Sequence, residues 1–460
     1  MLTDILTPFK SKLDGHTELR LQRNSERQIG IVSGNITGNV ASESTGISAR
    51  VYKNGYWGFA SSPELDGKAV DSVLSAASRN ASFLTSRLGT KAAELKAYPG
   101  GRLNTAYSFR DAEQNRLMDF AKEIDAYIVK KYPKLLSRTV GAIADCIDKL
   151  LVTSDGSDVY ACIPRAFVYV SLSVAADDGT VISYYDELGG GGGQWYELFT
   201  TPELLFAKVD EVYEELMKKR EGVLPEAGVR DVIIDSDLAG ILAHEAIGHT
   251  TEADLVMGGS VAGPNLGKQV ASELITLVDF ANTALGKACP QAIVVDDEGI
   301  IARDVTIIEN GILKGFMHNR ESAAHFGHEP TGNARAYAFS DEPLIRMRNT
   351  AILPGNDKLA DMIASINDGY YLTKTGNGQA DLTSEFMFGV NMGYEIKNGK
   401  IGRAIRDTTI SGVAFDLLKT VTAISDEMNW GSGGMCGKKQ RMPVGMGGPS
   451  IKCKVNIGGR

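Results

Sequence analysis

The sequence predicts an α+β protein: an N-terminal α/β region of two small subdomains, followed by a C-terminal, mainly antiparallel β domain with helices. Three observations predict it. Residues 1–108 and 109–220 each combine strand-rich runs with amphipathic helices. The run "EGVLPEAG" at 221–228 reads as a linker. Beyond it, over 221–460, strands alternate with Asn-Gly turn signals. A length of 460 residues suits two or three domains, and 43% hydrophobic residues suffice for sizeable cores.

In the first subdomain, "TELRLQRNSERQIGIVSGNI" and "GISARVYKNGYWGFASS" are rich in strand formers, and Asn54-Gly55 is a type I′ hairpin signal. "DGKAVDSVLSAASRNASFLTSR" reads as a helix with Asp66 as its N-cap. In the second, "FRDAEQNRLMDFAKEIDAYIVKKY" (109–132) is an amphipathic helix followed by three strand-like runs from residue 150 to 187. Five glycines, Gly189–Gly193, then read as a loose surface loop, or more sharply as a substrate-facing flap. A further helix begins near Thr200 or Thr201 as cap. In the C-terminal part, "VRDVIIDS" is a short strand running into a helix. Asn310-Gly311 and Asn398-Gly399 mark hairpins, and helical patterns fall at 319–327, 357–367 and 411–419.

Charge excludes some functions. The net charge is −9, and no basic run offers a nucleic-acid groove. No window approaches eighteen uncharged apolar residues, so no membrane span is expected. The start lacks a signal-peptide pattern, and the five scattered cysteines read as reduced thiols of a cytoplasmic protein.

The chemistry concentrates in "DLAGILAHEAIGHTTEADLV" (237–256), with His244, Glu245, His249, Glu252 and Asp254. Imidazole and carboxylate are metal-ligand types, and a neighbouring carboxylate can take a proton from metal-bound water. The familiar spacing is H-E-x-x-H; here it is one residue longer. On a straight α-helix, residues five apart lie about 140° apart and do not converge on one ion. Either a one-residue π-bulge widens the turn, or the helix ends near Gly248 and swings His249 inward. Glu252 and Asp254 stand close behind as a third ligand or as acceptors for imidazole N–H. Far along the chain, Cys436 sits among glycines, with Lys438 nearby to favour thiolate. Cys453, alternating with Ile451 and Val455, suits a strand core.

"HEAIGHTTEAD" together with "CGKKQRMPVGMGGPSIKCKVNIGG" is similar to the TldD/PmbA (TldD/TldE) family. Further matching stretches are "DDEGIIARDVTIIENGILKGFMHNR", "TGNARA" and "PLIRMRNT". The resemblance implies a cytoplasmic zinc metallopeptidase acting on unfolded or extended peptides. Carried over, His244, His249 and Cys436 would hold Zn²⁺, and Glu245 would be the catalytic general base, as in the metal-bearing TldD type. Glu252 is the alternative third ligand should Cys436 not serve. The resemblance also implies a homodimer, or a heterodimer with a PmbA/TldE-type subunit. Some relatives carry the label modulator of DNA gyrase, but the lack of a basic stripe argues against direct DNA contact. The competing reading is a non-catalytic peptide-binding or regulatory subunit that keeps a metal for structure; Glu245 separates the two, since a structural site has no use for it.

A peptide substrate would add to a sheet edge of the C-terminal domain, with "TGNARAYAFS" and the glycine run as walls of the cleft. Arg335, Arg346 and Arg348 suggest carboxylate anchoring, although structural ion pairing is the commoner role for such residues.

Overall fold

A computed structural model of the chain describes residues 6–90, 94–104, 111–431 and 433–458. The first residues of the helix expected over 109–132 lie outside this set. The N-terminal half is built on one long sheet. Its strands are β1 (His16–Val32), β2 (Asn35–Lys53), β3 (Tyr56–Ser62), β4 (Arg102–Asn104), β5 (Ser137–Thr153), β6 (Asp158–Ala175) and β7 (Val181–Gly192). They run in the order β3-β2-β1-β5-β6-β4, with β7 also on β6. Both N-terminal stretches therefore contribute to a single sheet. At the β2–β3 turn, Asn54 and Gly55 have φ of 51° and 94°, the two positive values a type I′ turn requires.

Strand alternation lets one sheet face serve two cores. Near its start, Leu19 and Leu21 of β1 join Ile47 and Val51 of β2. These pack under Val70 and Val73 of helix α1 (Gly67–Leu88), which Asp66 caps by accepting the Ala69 N–H at 2.8 Å. Farther along, Ile29 and Ile31 pack with Leu117, Ile124 and Ile128 of α2 (Gln114–Lys131), and with Val209, Val212 and Leu216 of the helix at Phe206–Arg220. The even-numbered residues Glu18, Arg20 and Gln22 face the opposite side, which the C-terminal half covers: Gln22 and Arg20 donate to the Tyr337 and Ala338 carbonyls.

Two local expectations differ from what is found. Gly189–Gly192 are not a loose loop; they pair with Val168–Arg165 as the end of β7. A Cβ on Gly190 would lie 2.4 Å from the Ala166 carbonyl, so glycine permits the close approach of the two backbones. The helix expected to be capped by Thr200 or Thr201 starts its α-helical turns at Phe206, because Pro202 first opens a 3₁₀ turn over Pro202–Leu205.

The C-terminal half holds an eleven-stranded, mainly antiparallel sheet. Strand Gly445–Ile457 pairs both with Thr408–Val413 and with β8 (Gly228–Ile234). Through Glu385–Lys397 and Asp368–Ala380, five strands thus close into a ring. The Asn310-Gly311 and Asn398-Gly399 turns have positive φ at both residues and close hairpins as expected. Short helices occupy Arg320–Phe326, Leu359–Ala364 and Ala414–Lys419. Among the described residues, no helix is long and apolar enough to cross a membrane.

β8 leads directly into a helix at Ser236–Ile241, whose cap Asp235 accepts the Leu238 N–H at 3.0 Å. Leu238, Leu242, Ala246 and Ile247 of this segment sit in the largest core, with Val232, Leu372, Phe388 and Ile451. Gly240 allows it to lie on the facing strand: a Cβ there would be 2.9 Å from the backbone of Met446 and Gly447. The chemistry-bearing segment is thereby anchored by apolar packing on its inner side.

Candidate metal centre

Past Ile241 the helix widens. Leu242–Gly248 form a π-helical turn, and the His249 N–H bonds to the His244 carbonyl, five residues back. That bond places residue 249 above residue 244 instead of about 140° away, the one-residue widening the spacing demands. The two rings lie 5.1 Å apart, centroid to centroid. A single 3₁₀ turn, His249–Thr251, ends the segment, and the Thr250 and Thr251 hydroxyls satisfy the Ile247 carbonyl at 2.8 and 3.0 Å. Gly248 leaves room for the Met347 side chain, since a Cβ there would fall 1.9 Å from its sulfur and force it to move.

Cys436 reaches the same place from the far end of the chain, on a two-residue strand, Met435–Cys436, paired with Met442–Pro443. One donor atom each from His244, His249 and Cys436 lies within 4.8 Å of the others. Cys436 Sγ is 3.2 Å from His249 Nε2. His244 is 0% exposed, and neither of its ring nitrogens has a hydrogen-bond partner. A buried imidazole left without partners is costly, and an electron-pair acceptor between it, His249 and Cys436 removes that cost. Two imidazoles and a thiolate form a donor set that suits zinc. Glu245 lies on the open side, its carboxylate oxygens 4.0 Å from His244 Nε2 and 3.7 Å from His249 Nε2, with 24% of its side chain exposed.

Behind this group runs a chain of charges. Glu252, fully buried, sits with Oε2 2.8 Å from His249 Nδ1. Glu252 thus orients the ring and leaves Nε2 toward Cys436, which is the acceptor arrangement rather than the alternative of a third ligand. Lys438 does not serve the sulfur as expected. Its ammonium bonds Asp254 at 2.7 Å, Glu252 at 3.2 Å and the Ile345 carbonyl at 3.1 Å, because those oxygens surround it. Burial opposes ionisation of Cys436, but the nearby His244 and His249 rings, with the His249 hydrogen bond, outweigh it and hold the thiol down at about 3. Burial likewise opposes protonation of His249, but Glu252 and Cys436 carry it up to about 10. Without a metal the group is a thiolate–imidazolium pair; a cation between them would displace the imidazole proton.

The three arginines divide. Arg348 is fully buried and paired with Asp279 at 2.9 Å, a structural ion pair. Arg346 donates to the Lys438 and Gln440 carbonyls, both at 2.9 Å, and so braces the loop just beyond Cys436. Arg335 donates to the Met347 carbonyl at 2.7 Å. "TGNARAYAFS" joins the same brace, with the Tyr337 N–H donating to Gln440 Oε1 at 2.8 Å. Cys453 lies buried in its strand, as its alternation predicts. Sequence reasoning passed over Met347 and Gln440, whose roles arise only from contacts distant in the chain.

Comparison with known proteins gives three matches along the chain: PmbA/TldA metallopeptidase domain 1 over residues 17–81, the central domain over 107–220 and the C-terminal domain over 227–459. A zinc metalloprotease TldD homolog of Saccharolobus solfataricus is 30% identical over 417 residues, covering 90% of each chain. A metalloprotease of Methanothermobacter thermautotrophicus is 28% identical over 467 residues, covering 100% of this chain and 98% of its own. Among solved structures, TldE from Thermococcus kodakarensis shares the fold with a TM-score of 0.77 at 19% identity, covering 100% of both chains. A Thermotoga maritima protein described as a modulator of a DNA gyrase matches with a TM-score of 0.76, also at 19% identity, over 99% of this chain and 98% of that one.

Proposed function

The chain belongs to the PmbA/TldD metallopeptidase family, and on that premise we propose that it is a zinc-dependent peptidase of the TldD type that hydrolyses extended or unfolded peptides. The observation that carries the proposal is the meeting of His244, His249 and Cys436, with Glu245 beside them on the open side. His244, His249 and Cys436 would hold the ion. Zinc bound there supplies a polarised carbonyl and a more acidic water. Glu252 keeps His249 Nδ1 occupied, so that Nε2 is the donor. A carboxylate oxygen of Glu245 takes the proton of the attacking water and returns it to the leaving amine. A peptide lying along a strand edge of the C-terminal sheet would be read through its backbone, which gives broad specificity. The fold shared with TldE supports a PmbA/TldE-type partner subunit, and five free cysteines agree with a cytoplasmic setting.

The test separates holding the ion from using it. Glu245→Gln should keep its zinc and lose cleavage of an unstructured peptide by a factor of about 100 or more. His244→Ala should lose zinc itself. Unchanged turnover in Glu245→Gln would sink the mechanism and leave a peptide-binding subunit with a structural ion.

A further inference from the structure

Arg335 and Arg346 share one face of a two-stranded ladder. Ala334–Arg335 pair antiparallel with Leu344–Ile345, Arg335 stands opposite Leu344, and residue 346 projects on the same side as 344. Both side chains are buried, and among the described residues neither makes an ion pair. Only Nη1 of Arg346 is engaged; Nε and Nη2, equally buried, have no partner. Those two N–H groups form the side of a guanidinium that takes both oxygens of a carboxylate or phosphate at once.

The surroundings add more positive charge than the nearby carboxylates Asp297 and Asp279 balance. Lys149 reaches Asp297 at 2.6 Å, and Arg20 Nη1 stands 3.7 Å from the same carboxylate. Lys149 also donates to the Ala336 carbonyl, next to Arg335. Arg20, Lys149, Arg335, Arg346 and Arg348 therefore gather about two buried carboxylates, Asp297 and Asp279. Burial first, and then the like charge of Arg346, push the Arg335 guanidinium down to about 9. Nε and Nη2 of Arg346 are buried without an acceptor, which is costly, and an anion there removes the cost.

We propose that Arg346 and Arg335 form a binding site for an oxyanion, a carboxylate or a phosphate, set between the N-terminal sheet and the loop that carries Cys436. An anion on the free edge of Arg346 would fix the guanidinium that already braces the Lys438 and Gln440 carbonyls, and so steady the loop. The oxyanion comes either free from solution or as the terminal carboxylate of a peptide. The second source rests on the peptidase reading; the first does not.

Thermal melts of the full chain in inorganic phosphate, against chloride at matched ionic strength, should show a saturable rise in Tm. Crystals soaked in selenate should give an anomalous peak at the Nε–Nη2 edge of Arg346. In Arg346→Lys or Arg335→Gln, half-saturation should move to about tenfold higher phosphate. Both wild-type measurements stand if those variants fail to fold. A peptide with a free terminus and its amide then identify the source. Phosphate binding with equal cleavage of the pair means a free anion. At least tenfold higher kcat/KM for the free acid, lost in Arg335→Gln, means the substrate's carboxylate. Failure to cleave any peptide would overturn the peptidase reading and leave the phosphate arm to decide. No phosphate shift, no selenate peak and no acid preference would overturn the site, leaving ordered water at that edge.

Discussion

Two single residues show how tightly the metal-centre region is specified. Gly248 favours glycine because a Cβ there would overlap the Met347 sulfur and displace that side chain. Gly248→Ala is expected to cost about 2 kcal/mol by overpacking and to lower zinc content, since His249 follows directly. Urea unfolding and metal analysis read both effects. Adding Met347→Ala should leave the double variant more stable than the sum of the single effects; strict additivity would show that the clash is not the cause. His318, beneath the helix at Arg320–Phe326, is held down to about 4 by burial, with the charges of His328 and Arg303 adding to it. A folded pKa below the unfolded value of 6.5 contributes stability that is complete above 6.5 and is lost as pH falls through 4. His318→Gln should therefore flatten the fall in stability over that acidic window, by on the order of a few kcal/mol, in denaturant titrations at stepped pH.

Among the elements, the π-helical turn over Leu242–Gly248 is the one whose form follows from its chemistry. It was legible because H-E-x-x-x-H cannot converge on a straight helix, so the odd spacing itself announced the distortion. The Asn54-Gly55 turn and the Asp66 cap were legible for the same reason: a local rule with a local cause. Gly189–Gly192 were not, since their strand state comes from β6, a partner that no five-residue window contains. The partners of Lys438 were not legible either, because Asp254 and Glu252 lie far from it in sequence. Thr201 does stand at the N-cap of the helical segment, but Pro202 gives its first turn 3₁₀ form before the α-helix begins at Phe206. A π turn is less stable than regular helix and depends on what holds it. If the proposed zinc holds the turn, removing it with a chelator should make amides of residues 242–251 exchange about tenfold faster while those at 236–241 keep their protection. No change at 242–251 would mean that the turn is held by packing alone.

At the scale of the whole molecule, the two halves are joined by buried charge as well as by apolar contacts, such as those of Met392 and Ala404 in the N-terminal core. Arg50 of β2 meets Glu298 from the C-terminal half at 2.5 Å, Glu342 at 3.1 Å and its cross-strand neighbour Glu18 at 3.5 Å, and its guanidinium stacks 3.9 Å from the Trp57 ring. Removing Arg50 leaves Glu18 and Glu298 buried and uncompensated, so Arg50→Met should destabilise the chain by about 3–5 kcal/mol. The loss should depend on pH in a definite sense. Burial, opposed by Arg50 and assisted by Glu298, already pushes the Glu18 carboxyl up to about 8. A carboxyl raised in the folded state contributes stability that is present below its unfolded value of 4.5 and is lost as pH rises through its folded one. Without Arg50 the opposing influence is gone and the folded value climbs further. The buried carboxyls of Arg50→Met then escape their penalty by taking up protons, which acid supplies and alkali withholds. The stability gap between wild type and Arg50→Met, from urea titrations, should therefore be widest near about pH 9 and should narrow toward about pH 6. A gap that stays constant, or widens in acid, would show that Arg50 acts through its stacking on Trp57 and not as the counter-ion that binds the two halves together.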